Sequence, residues 1–252
     1  MAAGDVEANI SGLETEGYTN FDGIDDFVDT NNQYIYNEFS VSMDFRAKSL
    51  AVLQVIITQF VEAGFLARFR IIVNTNGSLT IRMWKVAGDV NGTSAVGSIV
   101  VNVWNNIIIT GNLTEGRLYI DGVSKITLSN ANAWTADTAG QNTFIGYNNQ
   151  GTNFTNGDIK NVKIWNKVLD SNEITDTVNG ILVEDSLVSY WKMSNDFVDS
   201  TGLSDGTNTG TTFGTDSSLA NAIAADRVTA NDTFLMTGIL GQVVTSVIEE
   251  AP

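Results

Sequence analysis

The sequence predicts an all-β fold, a sandwich of two antiparallel sheets. Three observations carry that prediction. Short runs alternate apolar and polar residues, the period-two pattern of a strand with one buried face. Gly, Asn, Asp and Thr separate these runs, as tight turns require. The chain has 252 residues, a single Pro and 43 % hydrophobic residues, enough apolar surface for the core of one large β domain.

The elements follow in order. Phe39 to Phe45 places every second residue on one face. Gly64–Val73 and Ser78–Val86 flank Asn74-Thr75-Asn76-Gly77, a hairpin turn whose Asn and Gly tolerate positive φ. Asn105–Gly111 is a continuous Ile-rich run and suits a strand buried on both faces. Arg117–Ile120 leads through Asp121-Gly122 into Val123–Leu128, a second hairpin. Phe144–Tyr147, Asp158–Trp165 and Leu187–Met193 read as further strands. Lys167–Val178 is a short helix candidate capped by Asp170 or Ser171. From Phe234 to Ile248 the apolar residues fall at helical spacing, including Leu240, Val243, Val244 and Val247. The β-branched residues and Gly238 and Gly241 oppose a helix. The segment is helix or extended arm, and its apolar stripe requires a partner surface, so these four residues are candidate assembly contacts.

Composition excludes several chemistries. There is no Cys and no His, hence no disulfide, thiol nucleophile, imidazole base or imidazole metal site. The formal net charge of −16 disfavours nucleic acid as a partner. No apolar run approaches the roughly 20 residues of a membrane span. Met1–Ile10 shows no basic residue and no apolar h-region, so no secretory signal is expected. Residues 1–40 carry 9 acidic and no basic residues, 41–192 carry 12 of each, and 193–252 carry 8 acidic residues and Arg227. The excess charge at the two ends either solvates the chain or docks on a basic partner.

Four segments resemble a known family. Phe21-Asp22-Gly23-Ile24-Asp25-Asp26-Phe27-Val28 resembles the opening strand pair of laminin-G-like domains of the concanavalin A-like lectin/glucanase superfamily. Leu118-Tyr119-Ile120-Asp121-Gly122 is similar to their late hairpin. Gly157 to Leu169 followed by Glu173-Ile174 is similar to their closing strand and short helix, shared with pentraxins. Leu187 to Met193 with Asp199-Ser200-Thr201-Gly202 matches a strand and turn common in these modules. The resemblance covers about 18–212 and implies a jelly-roll sandwich of two curved antiparallel sheets. The division expected is an acidic arm at 1–17, the sandwich at 18–212 and an extension at 213–252. The Tyr190-Trp191 strand often precedes the Phe-Asp-Gly motif in the family but follows the short helix here. It either closes this domain or begins a second unit.

The candidate sites are few. Phe21 and Phe27 are core candidates, and Gly23 permits a tight turn. Asp25 and Asp26 either cap that turn or ligate Ca2+ with nearby carbonyls; no cofactor is otherwise expected. Glycan sites on such sandwiches use loop aromatics for stacking and Asn or Asp for hydroxyls. Two loops offer these groups: Asn130–Asp137 with Trp134, and Tyr147–Asn153 with Tyr147, Asn148, Asn149 and Asn153. The alternative is that Trp134 folds over a sheet edge and the Asn residues only make turns. Retaining glucanases of the superfamily carry two Glu on one strand face, roughly 5 Å apart, and no matched strand shows that run. No Ser-centred elbow, phosphate loop or metal-ligand cluster appears, so an enzyme is not expected.

Laminin-G-like jelly rolls also occur on bacteriophage particles. Acidic ends, a neutral body and an apolar tail stripe suit that setting. The leading expectation is a non-catalytic structural or adhesion protein of a virion: a capsid decoration, fibre or tail appendage. It would be made in the host cytoplasm, self-associate, bind other virion subunits and contact surface glycans. The alternative is an extracellular, Ca2+-dependent carbohydrate-binding lectin module.

Overall fold

The computed structural model describes residues 17–61, 66–85, 88–129, 142–216, 236–237 and 243–244. The chain divides into two compact units, Glu16–Thr215 and a second that combines Met1–Thr15 with Asp216–Pro252. The first unit holds β1 (Gly17–Asp22), β2 (Phe27–Asp29), β3 (Phe39–Ala47), β4 (Gln54–Val61), β5 (Leu66–Val73), β6 (Leu79–Lys85), β7 (Gly88–Thr93) and β8 (Trp104–Gly111). It continues with β9 (Glu115–Ile120), β10 (Val123–Ser129), β11 (Phe144–Ile145), β12 (Asn156–Trp165), α1 (Ser171–Val178), β13 (Leu187–Trp191), β14 (Thr207–Thr209) and β15 (Thr212–Thr215). In the second unit, β16 (Met236–Thr237) pairs antiparallel with β17 (Val243–Val244). No helix among the described residues is long and apolar enough to cross a membrane.

The first unit is a sandwich. One sheet has eight strands in the order β10-β9-β8-β3-β12-β1-β15, with β13 also on β12. The other has seven, in the order β14-β2-β11-β4-β5-β6-β7. All pairings are antiparallel. This is the expected sandwich of two antiparallel sheets. The strand containing Tyr190 and Trp191 belongs to this sandwich and does not begin a second unit. It pairs with the second half of β12, Val162–Trp165, while β1 takes the first half, Asn156–Ile159. Asn161, at φ 55°, sits between the two halves, where the register against β3 shifts.

Period-two burial builds the core. Val41, Met43, Phe45, Ile107, Ile109, Ile159, Val162 and Ile164 face inward from the eight-stranded sheet, against Ile57, Phe69, Ile71, Val73 and Ile81 of the other. Ile108 points outward yet is fully buried, because α1 covers it together with Trp165, Leu169 and Ile174. The Ile-rich run is therefore buried on both faces, one by the core and one by the helix. Asp170 caps α1: its side chain accepts from the Asn172 and Glu173 N–H groups, and Glu173 accepts from the Asp170 N–H. Asp121 and Gly122, at φ 50° and 74°, form the two-residue turn between β9 and β10, as their sequence predicts.

Behind β13 lies a buried carboxylate. Asp199, 2 % exposed, accepts from the Tyr190 and Thr201 N–H groups and the Thr201 hydroxyl. Burial opposes its charge, but these donors outweigh burial and hold its pKa below the ordinary value.

Candidate functional site

β1 ends at Asp22, and the chain reverses through Gly23 at φ 83°. A Cβ at Gly23 would lie 2.8 Å from the Asn156 Cβ, so both conformation and space demand glycine. The turn is self-knitted: Asp22 Oδ1 accepts from the Ile24 N–H at 2.7 Å, and Asp26 Oδ2 from the Asp22 N–H at 2.9 Å. It gathers carboxylate oxygens of Asp22, Asp25 and Asp26 within 4.8 Å of one another. Asp22 and Asp25 are exposed, whereas Asp26 is 4 % exposed. Burial raises the Asp26 pKa, the Asp22 N–H lowers it, and the charges of Asp22 and Asp25 raise it further. Three carboxylates repelling one another in this way make an oxygen-only donor set of the kind a hard divalent cation takes. Asp25 and Asp26 were singled out by sequence. Asp22, which completes the trio of carboxylates, was not.

Beside this turn lies an aromatic stack. In β2 only Val28 points into the core, so Phe27 faces outward and is half-buried. Tyr147 stacks on Phe27 at 5.0 Å between centroids and on Phe154 at 4.9 Å. Phe144 meets Phe27 and Tyr147 edge-on at 6.0 and 5.8 Å. Both ends of the loop 146–155 lie near the acidic turn. The Asn156 side chain donates to the Asp22 carbonyl at 3.1 Å. Gly146, at φ 84°, lies so close to Phe21 that a Cβ would sit 2.4 Å from its ring and 3.4 Å from the Asp26 carbonyl.

The structure thus brings Asp25 and Asp26 to the same end of the sandwich as Tyr147 and its loop. Their roles differ. Tyr147 is the middle ring of three, and its hydroxyl accepts from the Gly151 N–H, so Phe27 and Phe154 form the ends of the platform. Asn148 is 1 % exposed and spent on the loop, accepting from the Gln150 N–H and donating to the Thr152 hydroxyl. Asn149 and Asn153, at φ 60° and 59°, occupy left-handed turn positions, and the Asn153 carbonyl accepts from the Val55 N–H. Trp134, Leu240 and Val247 lie outside the described residues. Val243 and Val244 form β17.

A groove of about 500 Å3 lies elsewhere, on the outer side of the eight-stranded sheet beside α1, lined by Thr110, Arg117, Tyr119, Leu169 and Ile174 among others. Its charged groups already serve the fold: Arg117 pairs with Glu115, and Asp170 caps the helix. Asp185, next to Glu184, is bound by Lys167, whose ammonium also holds Glu173. The convergence of carboxylates and rings therefore favours the end turn over the groove.

No curated protein matches the chain in sequence. Among the solved structures that share the fold at low identity are these three. One is a Bacteroides ovatus protein assigned as carbohydrate-binding: TM-score 0.65, 16 % identity, covering 81 % of this chain and 60 % of that one. The chain therefore spans less than two thirds of that relative's length. The second is a native heptameric SAP-like pentraxin from Limulus polyphemus: TM-score 0.60, 12 % identity, covering 80 % and 95 %. The third is the Ruminococcus gnavus IT-sialidase CBM40 bound to α2,3-sialyllactose: TM-score 0.54, 13 % identity, covering 63 % and 96 %. The sequence itself matches the laminin G type of domain over residues 22–175, more than half of its length. The chain belongs to the concanavalin A-like lectin/glucanases superfamily.

Proposed function

We propose that the chain is a non-catalytic carbohydrate-binding module whose site is the acidic turn and aromatic stack at one end of the sandwich. The observation that carries this reading is the convergence of Asp22, Asp25 and Asp26 with the Phe27–Tyr147–Phe154 stack. Sugar rings present C–H faces that pack on aromatic rings, and hydroxyls that meet carboxylates or a carboxylate-held cation. Ca2+ is the cation proposed, held by the three carboxylates. Its charge would relieve their mutual repulsion and offer open positions to paired hydroxyls. The sialyllactose-bound module and the protein assigned as carbohydrate-binding support the ligand class by shared fold. The virion reading rests on the family resemblance, the charge distribution and the tail. The structural neighbours lend it no support, so sugar binding is preferred.

The test is an array of immobilised neutral and acidic oligosaccharides, probed with Ca2+ and with chelator. Wild type is expected to retain a subset of glycans in Ca2+, and Phe27→Ala or Phe154→Ala to lose about tenfold in affinity, the worth of one stacking contact. Wild type that ignores the array in both conditions would overturn the proposal. Release of shortened sugars from any glycan would overturn the non-catalytic part.

A further inference from the structure

We infer that the glycan recognised at the acidic turn is carried on a neutral lipid surface, and that two apolar loops beside the turn rest on that surface. The inference builds on the carbohydrate-binding reading above. Of the fourteen large apolar side chains left exposed among the described residues, six are Val52, Leu53, Val96, Val100, Val101 and Val103. They lie in the connection from β3 to β4 and in that from β7 to β8. A seventh, Ile24, sits in the acidic turn itself. Ile24 and Val96 are the most exposed of all, each at 71 %. Scattered apolar side chains need no explanation, but half of them gathered at one end of a sandwich mark a contact surface.

Hydrogen bonds tie both loops to the site. The Lys48 N–H donates to the Asn156 carbonyl at 3.0 Å, and the Val55 N–H to the Asn153 carbonyl at 2.9 Å. The first loop is thus fixed at both ends to the segment that follows Tyr147 and Phe154. The Asn102 N–H donates to the Ala47 carbonyl at 2.8 Å, which joins the second loop to the first. The Gly97 and Ile99 N–H groups donate to the Asn76 and Gly77 carbonyls, at 3.0 and 2.8 Å. Within the second loop the Val103 N–H donates to the Val100 carbonyl, and the Ser98 N–H and hydroxyl to the Ala95 carbonyl. Ile99 is buried in the core, and its neighbours Val100 and Val101 are left outside. The valines are therefore presented on a backbone bonded to itself, as entry into an apolar medium requires.

Charge selects the occupant. Residues 49–61, 71–81 and 90–114 contain no charged side chain, in a chain of net charge −16. A charged partner would find nothing in these loops to pair with. A second copy docked about a two-fold axis would bring two acidic turns together and cover the glycan site. A neutral headgroup layer does neither. It admits apolar side chains to a shallow depth and presents sugars at the level of the turn. Directly behind Val103, Trp104 meets Tyr18 edge-on at 5.7 Å, with the Arg46 guanidinium over both rings. Amphipathic rings beside a long cationic side chain are the groups that settle at a lipid–water boundary. The exposed Asp22 and Asp25 oppose a densely anionic membrane, which makes the surface a neutral one.

The test uses phosphatidylcholine vesicles in Ca2+, bare or carrying a minor fraction of lactosylceramide or globotetraosylceramide. The chain has no Cys, so Val96→Cys takes a polarity-sensitive fluorophore at a single position. Leu113→Cys, exposed at the opposite end of β8, is the control. The Val96 probe should shift to the blue on vesicles, and the Leu113 probe should not. Wild type should bind bare vesicles weakly, and at least one glycolipid about tenfold more tightly. Val96→Asp/Val100→Asp should lose at least about tenfold on every vesicle, because each apolar side chain becomes a hydrated charge, and should bind the same sugars free in solution like wild type. Should it fail to fold, as judged by its melting curve, Val96→Ser/Val100→Ser decides alone. Phe27→Ala should do the converse, keeping bare-vesicle binding and losing the gain from glycolipid. Wild type that ignores every vesicle would overturn the inference, and its binding to the free sugars would then show whether the carbohydrate reading stands without it. Binding to bare vesicles with no gain from either glycolipid would overturn the coupling of sugar to lipid. A folded loop variant that binds vesicles like wild type would overturn the inference too. So would one whose only change is a smaller solution mass, because the loops would then hold a second copy.

Discussion

Asp26→Asn is the substitution that reads the acidic turn most cleanly. The side chain is buried, and its Oδ2 accepts the Asp22 N–H at 2.9 Å, a bond an amide oxygen can keep. What the substitution removes is charge. With carboxylate oxygens within 4.8 Å, each like-charge pair costs about 0.9 kcal/mol at the dielectric of water and more where burial lowers it. Asp22 and Asp25 are exposed, so solvent screening holds the total to about 1–2 kcal/mol. The Asp26 pKa is raised by burial first and by those two charges. The folded state therefore holds its proton more tightly than the unfolded chain. Stability from Asp26 is complete below the ordinary value of 3.8 and declines as pH rises through the raised folded value. Urea unfolding in chelator should show Asp26→Asn more stable than wild type by about 1–2 kcal/mol at pH 7, with the advantage vanishing in acid. In saturating Ca2+ the order should reverse, because only wild type gains binding energy. A variant less stable than wild type at pH 7 in chelator would refute the reasoning about repulsion. An order unchanged by Ca2+ would refute the proposed cation.

Three further outcomes are expected. Asp199→Ala should cost about 2–4 kcal/mol in urea unfolding, because it strands the Tyr190 and Thr201 N–H groups behind β13. Because its folded pKa is depressed, wild type should lose the Asp199 contribution only as pH falls below about 3.8 toward the folded value. Asp170→Ala should destabilise by about 1 kcal/mol through loss of the capping box, measured by thermal melts. Gly146→Ala should cost about 2 kcal/mol or more, since it forces a side chain onto the Phe21 ring at positive φ, and should weaken glycan binding by moving the loop from the acidic turn.

Much of the fold was legible because its central strands carry strong local patterns. β3 alternates apolar and polar residues along its length, β8 carries a continuous Ile run, and α1 announces itself through Asp170 and Glu173. The strands that went unread include the apolar β4 and two polar ones. Gly-Asp-Val-Asn-Gly-Thr of β7 and Thr-Asn-Thr of β14 have little β propensity, and pairing with β6 and β2 makes them strands. Phe27 shows how a turn defeats pattern reading. The residues Gly23–Asp26 interrupt the alternation begun at Phe21, so Val28 takes the inward place and Phe27 faces outward.

The candidate site was legible in its parts. Asp25, Asp26 and Tyr147 could be picked out by type, yet their meeting depends on contacts between residues over a hundred positions apart, such as Asn156 with Asp22. Asp22 had a local signal, since the glycine after it lets the chain fold back toward Asp25 and Asp26. Asn148 had none: a buried loop asparagine and an exposed binding asparagine look alike in sequence.

The most direct test of the central proposal is an amide-resolved NMR titration of the 15N-labelled chain with a glycan retained on the array, in Ca2+. Shift changes centred on Asp22–Phe27 and Gly146–Phe154 are predicted. Changes confined to the groove beside α1 would place sugar recognition elsewhere and contradict the end-turn site.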